Sequence, residues 1–419
     1  MPGCDENLEL SRRALLGGAA SLSLWGLLPR SAQAGMRDPR LLTVILRGGL
    51  DGLSLASPAG DAELVRVRGR SAVTASGEGA GLPLDGFFVL NPAMPFLHGL
   101  YRKREALIVH AVASPYRDRS HFDGQDVLES GLAGVGRSDT GWLNRALAEI
   151  RAGASANPAG LASSGGAKAL ALGAVVPLVM RGPAPVLSWI PQTFRTPLRE
   201  STIARLADLY AHTDPALAKA LAEGIALDTV GIAGAGMKGP GQPGGAMREF
   251  VETAEAAARF LGSADGPRIG VLSFNGWDTH ANAGVLKGAL ANRLGGLDAA
   301  LKAFSERIGP AWKDTVVLVV TEFGRTVRVN GTDGTDHGTA TCALLVGGAV
   351  QGGRVLADWP GLADAALHQG RDLKPTRDLR AVIKGILRDH LGVAERALAD
   401  NVFPSSSGVT ASSGLILPT

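Results

Sequence analysis

The sequence predicts an α/β fold in which a mostly parallel central sheet carries helices on both faces. Two observations lead there. Five short segments are predominantly apolar, and helical patterns lie between them. A strand with one wet face alternates polar and apolar residues, whereas a strand covered on both faces reads as a continuous apolar run. Strands of that second kind, alternating with helices, are the pattern of a parallel sheet between two helical layers.

The five strands are Leu41–Leu46, Ala106–Val112, Arg268–Phe274, Thr315–Thr321 and Thr341–Val346, chosen by length, β-branched content and flanking turn residues. Pro92 is placed at the first position of a helix capped by Asn91. Leu290, Leu294, Leu297, Leu301 and Phe304 step by three or four, which puts them on one face of another helix. Ala152–Lys168 is rich in Ala, Gly and Ser and reads as a loop. Gly231–Gly245 is richer still in Gly. Its Gly234-Ala235-Gly236-x-x-Gly239 portion resembles a phosphate loop, but no strand runs into it, so a flexible insertion is placed near 228–246. Residues 35–404 are expected to form a single domain, and the Ser/Gly-rich tail 405–419 to be loosely held.

The first 34 residues read as an export leader. Ser11-Arg12-Arg13-Ala14-Leu15-Leu16 is a twin-arginine pattern, the run Ala14–Leu28 is apolar, and Ala32-Gln33-Ala34 offers the small-x-small cleavage site. The expected partners in export are the Tat translocase and signal peptidase. The apolar run is too short for a permanent membrane anchor. The expected location is the periplasm or the exterior. Three arginines and three acids leave with the leader, so the net charge stays at +3. That balance offers no basic face for nucleic acid. Cys4 also leaves, and Cys342 alone cannot form an internal disulfide.

The polar residues gather at the strand ends, where open parallel sheets bind ligands. The first strand runs into Arg47-Gly48-Gly49-Leu50-Asp51-Gly52. The second leads to Arg119-Ser120-His121-Phe122-Asp123, and the third to Asn275-Gly276-Trp277-Asp278-Thr279-His280. The fourth gives Thr321-Glu322-Phe323-Gly324-Arg325, and the loop before the fifth holds Gly334-Thr335-Asp336-His337-Gly338. Each piece also has a plainer reading. Asp51 suits a turn, Ser120 a helix cap, Asp278 and His280 a surface turn, and Glu322 with Arg325 an ion pair. His98, His110, His212, His368 and His390 lie outside these loops and read as structural.

Carboxylates mixed with imidazoles suit a divalent ion, whether zinc, manganese, magnesium or calcium. Asp51, Asp278, His280, Glu322, Asp336 and His337 are the candidate ligands. No thiolate belongs to the set, which excludes a cysteine zinc site. Two ions in such a site would stabilise in-line displacement at phosphorus or sulfur. Ser120, at a helix N-terminus beside them, is placed as a nucleophile, with His121 and Arg325 as its catalytic neighbours. Without metal, the same residues offer Ser–His–Asp pieces for acyl transfer, although the Gly-x-Ser-x-Gly elbow is missing.

The motifs Leu46–Gly52, Arg119–Asp126, Gly276–His280, Thr321–Thr326, Gly334–Gly338 and Gly347–Arg354 resemble an uncharacterised Tat-exported bacterial family, domain of unknown function 1501. The resemblance runs from about Leu41 to Pro404. That family is similar, more distantly, to the alkaline phosphatase and sulfatase superfamily, which implies a three-layer sandwich. In that superfamily Asp51 resembles the metal-ligand Asp closing the first strand, and Asp278 with His280 approximates an Asp-x-x-x-His pair. An Asp-His pair falls on Glu322 and Phe323, the last histidine on His337, and the nucleophile opening a helix on Ser120. The resemblance implies a metal-dependent hydrolase of a small-molecule or polymer ester of phosphate or sulfate. The other class open to the sequence is a non-catalytic binding or assembly protein of the cell envelope that retains the fold.

Overall fold

In the computed structural model, residues 37–152, 169–190, 200–232 and 245–418 are described. The export leader 1–34, the body of the loop at 153–168 and residues 233–244 of the Gly-rich insertion lie outside them. Residues 228–232 close the helix Pro215–Ile232.

Four of the segments expected as strands form the middle of the sheet. They are β1 (Arg40–Arg47), β8 (Ile269–Asn275), β9 (Thr315–Thr321) and β10 (Thr341–Val346). The fifth is β5 (Ala106–Ala113). The order across the sheet is β11-β5-β10-β9-β1-β8-β6-β7, with β11 at Arg354–Leu356, β6 at Ala169–Leu172 and β7 at Val186–Trp189. β12 (Arg377–Asp378) also pairs with β5, and β2 (Ala56–Ser57), β3 (Leu82–Pro83) and β4 (Val89–Leu90) form a separate small sheet. The central strand β1 pairs in parallel with β8 and β9, matching Leu46 to Phe274 and to Thr321. β10 runs antiparallel to both β5 and β9. Its reversal brings the loop before Thr341 to the edge where β1, β5, β8 and β9 end.

Both faces of the sheet are covered, which explains the predominantly apolar runs. Leu42, Val44 and Leu46 of β1 join one core with Phe250, Leu261, Leu294 and Leu301 from the helices Ala246–Gly262 and Ala289–Ile308. Leu41 and Ile45 join the opposite core with Leu143, Leu147, Ile383 and Ile386 from the helices Trp142–Ala152 and Leu379–Asp389. The described residues from Asp38 onward form one compact unit. Among the described residues no helix is long and apolar enough to cross a membrane.

Three expectations are corrected. β6 and β7 were not expected as strands: Ala169–Leu172 holds no β-branched residue, and pairing with β8 supplies what propensity lacks. The helix expected from Pro92 starts at Pro95. Asn91 is fully buried and does other work, donating to the Ser54 and Val285 carbonyls while its side-chain oxygen accepts from the Ala93 amide. The helix is capped instead by Asp298, which accepts from the Phe96 and Leu97 amides at 2.9 and 2.8 Å. The tail is not loose. Leu415 and Ile416 are buried, and the backbone of 415–417 bonds to Gln351 and Ala349. Two apolar side chains suffice to dock a polar segment when its backbone groups also find partners.

His110 on β5 is structural, as expected. It is fully buried, donates from Nε2 to the Ala56 carbonyl at 2.9 Å, and accepts the Ala111 amide at Nδ1. Burial pushes its pKa from 6.5 down to about 4. Between those values the unfolded chain takes a proton that the folded chain refuses. The stability present above the ordinary value is therefore lost as pH falls to about 4, by about 3 kcal/mol in all. His110→Gln is expected to flatten that part of the pH profile in urea melts at pH 7 and pH 4.5. An unchanged profile would show that His110 is not the titrating group. His212's side chain lies outside the described residues.

Candidate metal centre

Five loops meet at one rim of the sheet, and small residues let them close in. Gly48, at φ +122°, follows β1, and a Cβ there would stand 2.5 Å from the Asp278 amide nitrogen. Gly334 has the same role opposite, since its Cβ would stand 2.1 Å from the His280 carbonyl. Trp277 is fully buried against Phe274 and fixes the loop that presents Asp278. On the far side, Thr326 N donates to the Asp336 carbonyl and Gly338 N to that of Gly324, which sets His337 beside Arg325.

The side chains converge on Asp278. Its Oδ1 lies 3.0 Å from His280 Nε2 and 3.2 Å from His337 Nε2, and those two nitrogens are 3.0 Å apart. Its Oδ2 lies 3.3 Å from His121 Nε2. Side-chain atoms of His121, Asp278 and His337 all fall within 4.8 Å of one another. Asp278 and His337 thus belong to both triads, with His121 and His280 on either side.

What the rings do with their other nitrogens decides the chemistry. His337 Nδ1 lies 2.9 Å from the Arg119 carbonyl, which can only accept, so the proton is on Nδ1. His121 Nδ1 lies 2.9 Å from Glu322 Oε1, and His280 Nδ1 lies 3.2 Å from Asp336 Oδ1. In the neutral rings all three Nε2 atoms are therefore bare lone pairs aimed at a carboxylate. Lone pairs 3.0 Å apart repel unless a proton or a cation lies between them. His121 Nε2 is buried and makes no hydrogen bond among the described residues. Imidazoles anchored through one nitrogen by a carboxylate or carbonyl, with the other nitrogen turned inward, are the arrangement of metal-ligating histidines. An ion about 2.0–2.1 Å from each donor has donor–donor edges of about 3.0 Å if octahedral and about 3.3 Å if tetrahedral. The donor set fits a divalent cation.

The remaining charges are arranged around this cradle. Burial works against ionising Asp278, but the Arg325 hydrogen bond and charge outweigh it and hold the carboxyl below its ordinary range. Burial likewise opposes Glu322, whose bonds from His121, Gln125 and the Gly48 amide prevail and lower it. The bond to Glu322 raises His121, while burial and the charge of His121 lower His337. The Asn330 hydrogen bond, with that of His280, lowers Asp336.

Asp278, His280 and His337 come together from the expected ligands, and His121, expected beside the nucleophile, joins them. Glu322 and Asp336 stand one step behind, each holding a histidine. Asp51 does not reach the cluster; it is buried in an ion pair with Arg68. Arg325 is buried too, with Nη1 on Asp278 Oδ1 at 2.5 Å and on the Gly48 carbonyl, Nε on Thr335 Oγ1, and Nη2 on the Thr335 carbonyl. Its place is to orient Asp278. Ser120 caps the helix His121–Ser130, its hydroxyl accepting from the Asp123 amide at a long 3.5 Å. Three partners were not legible in the sequence: the Arg119 carbonyl, Gln125 and Asn330. Only Asn330, preceding Gly331, carried a local turn signal.

Residues 105–402 match the family described as Protein of unknown function (DUF1501), so the Leu46–Gly52 motif lies before the matched span. No curated protein matches the chain. Among solved structures, a phosphonate monoester hydrolase of Agrobacterium radiobacter is 12% identical, with TM-score 0.35 over 85% of this chain and 74% of that one. A protein in the alkaline phosphatase superfamily from Vibrio parahaemolyticus is 13% identical, with TM-score 0.35 over 75% and 60%. The PsFucS1 sulfatase from Pseudoalteromonas sp. is 13% identical, with TM-score 0.31 over 81% and 68%. At that level of likeness the chemistry has to come from the site.

Proposed function

The chain belongs to the DUF1501 family, and we propose that it is an exported, divalent-metal-dependent hydrolase acting on a phosphate or sulfate ester. The observation that carries this reading is the set of imidazole Nε2 atoms facing Asp278 with their Nδ1 atoms already bound. Asp278 and His337 would hold the ion, flanked by His121 and His280. Several imidazoles with one carboxylate favour zinc over magnesium or calcium, which take oxygen donors. A bound ion supplies Lewis acidity toward an ester oxygen. The class of ester rests on the motifs' resemblance to the alkaline phosphatase and sulfatase superfamily.

The protein's own residues do the rest. Glu322, Asp336 and the Arg119 carbonyl keep the Nε2 lone pairs free and aimed, and Arg325 locks Asp278. Phe323 packs against the His121 and His337 rings, at 4.9 and 5.1 Å, and closes one side to water. Ser120, one residue before His121, is the proposed nucleophile. Its Oγ would bond to phosphorus or sulfur as the ester oxygen leaves with a proton, and water would then release the anion and restore the hydroxyl.

The test is a screen of phospho- and sulfo-esters with zinc- or manganese-reconstituted protein, alongside melting in EDTA. Turnover that needs the ion, and a melting temperature lowered by EDTA, are expected. Protein that carries no ion and ignores both chelator and added metal sinks the reading; bound ion without turnover of any ester favours the binding protein instead. Ser120→Ala should abolish kcat in a folded protein, and near wild-type rates would exclude this serine. Export is part of the proposal. Arg12→Lys with Arg13→Lys should leave the precursor in the cytoplasm, and normal export of that variant would remove the twin-arginine assignment.

A further inference from the structure

We infer that the rim is built for one ion, and that the buried guanidinium of Arg68 takes the place a second ion would have at Asp51. The inference rests on the proposed metal reading and deepens it. A two-ion site needs further carboxylates or imidazoles beyond the first ion's set. The candidates left at this rim are Asp51, Glu322 and Asp336, and each already serves another side chain.

Asp51 is the position where a second cation would be expected, at the end of β1. Its carboxylate is gripped as a fork, with Arg68 Nη1 on Oδ2 at 2.5 Å and Nη2 on Oδ1 at 2.9 Å. Ser54 Oγ donates to Oδ2 at 2.6 Å. Arg68 Nη2 also reaches the Thr326 carbonyl at 3.1 Å, which fixes the guanidinium from its far side. Both residues are 2% exposed. A guanidinium keeps its charge at any physiological pH, so it does not step aside by losing a proton. A divalent ion approaching Asp51 would meet a fixed positive charge that already engages both carboxylate oxygens.

Glu322 is full. Oε1 accepts from the Gly48 amide, His121 Nδ1 and Gln125 Nε2, and Oε2 accepts from Thr321 Oγ1. Next to it stands Phe323, whose ring packs on the imidazoles and offers no donor atom. Asp336 Oδ1 is shared by His280 and Asn330. Among the described residues, ligand side chains converge in one group, around Asp278 and His337.

The experiment is elemental analysis of the full mature protein, saturated with zinc or manganese and then freed of unbound ion by gel filtration. One ion per chain is expected. Two ions per chain would overturn this inference and leave the metal reading standing, whereas none would overturn both. The second arm is Asp51→Leu combined with Arg68→Met, which removes both charges together. The double variant is expected to keep one ion, and loss of that ion in a folded protein would make Asp51 a ligand and overturn the inference. Should the variant not fold, the wild-type count decides by itself.

Discussion

His337→Ala is expected to abolish binding of the ion proposed for the rim and, with it, the difference in melting temperature between metal-loaded and EDTA-treated protein. His337 belongs to both triads at Asp278, so no other single imidazole leaves so little behind. An ion present at a hundred times its dissociation constant stabilises the native state by about 2.7 kcal/mol. That increment should be absent from the variant at the same ion concentration. The comparison in EDTA separates the ion's effect from packing. There the variant should melt close to wild type, because the ring is partly exposed and its loss leaves a gap at the rim, away from the two cores. A variant that binds one ion with unchanged affinity would exclude His337 as a ligand.

The second large effect is expected at Arg68. Arg68→Met leaves the Asp51 carboxylate buried, with Ser54 as its one close partner, and breaking a buried pair in this way costs about 3–5 kcal/mol. The paired replacement Asp51→Leu with Arg68→Met should recover most of that loss, because the desolvation of two charges disappears along with their attraction. The check is a double-mutant cycle from urea melts. A single variant that loses under about 1 kcal/mol would mean that the Arg68–Asp51 fork does not exist in solution. The direction with pH follows from the same contact. Burial opposes ionisation of Asp51, but Arg68 holds its carboxyl below the ordinary range. The contribution is thus present above the unfolded carboxylate value of about 3.9 and lost as pH falls through the folded one.

Much of this protein was determined by the sequence read by itself. The five long strands were legible because both faces of each are covered, which makes apolar residues predominate along them. The helix Ala289–Ile308 was legible because its core face repeats with the helical period. The rim was legible as well, since Asp278, His280, Glu322, Asp336 and His337 break otherwise apolar or glycine-rich stretches at the strand ends.

Tertiary structure decided which partner each of those side chains took. Asp51 looked like a ligand of the same kind as Asp278, and Arg68, seventeen residues on, turned it into half of an ion pair. Glu322 and Asp336 looked like ligands too, yet each holds the far nitrogen of a histidine. The antiparallel direction of β10 places His337 at the rim; run the other way, it would stand at the opposite edge. Asn91 looked like a cap, while the cap is Asp298, about two hundred residues away. The physical reason is common to all of these. Periodicity and burial are local properties that each stretch of chain carries on its own, whereas a charge or lone pair is satisfied by whichever group the fold brings within about 3 Å, and that group lies at any distance along the chain.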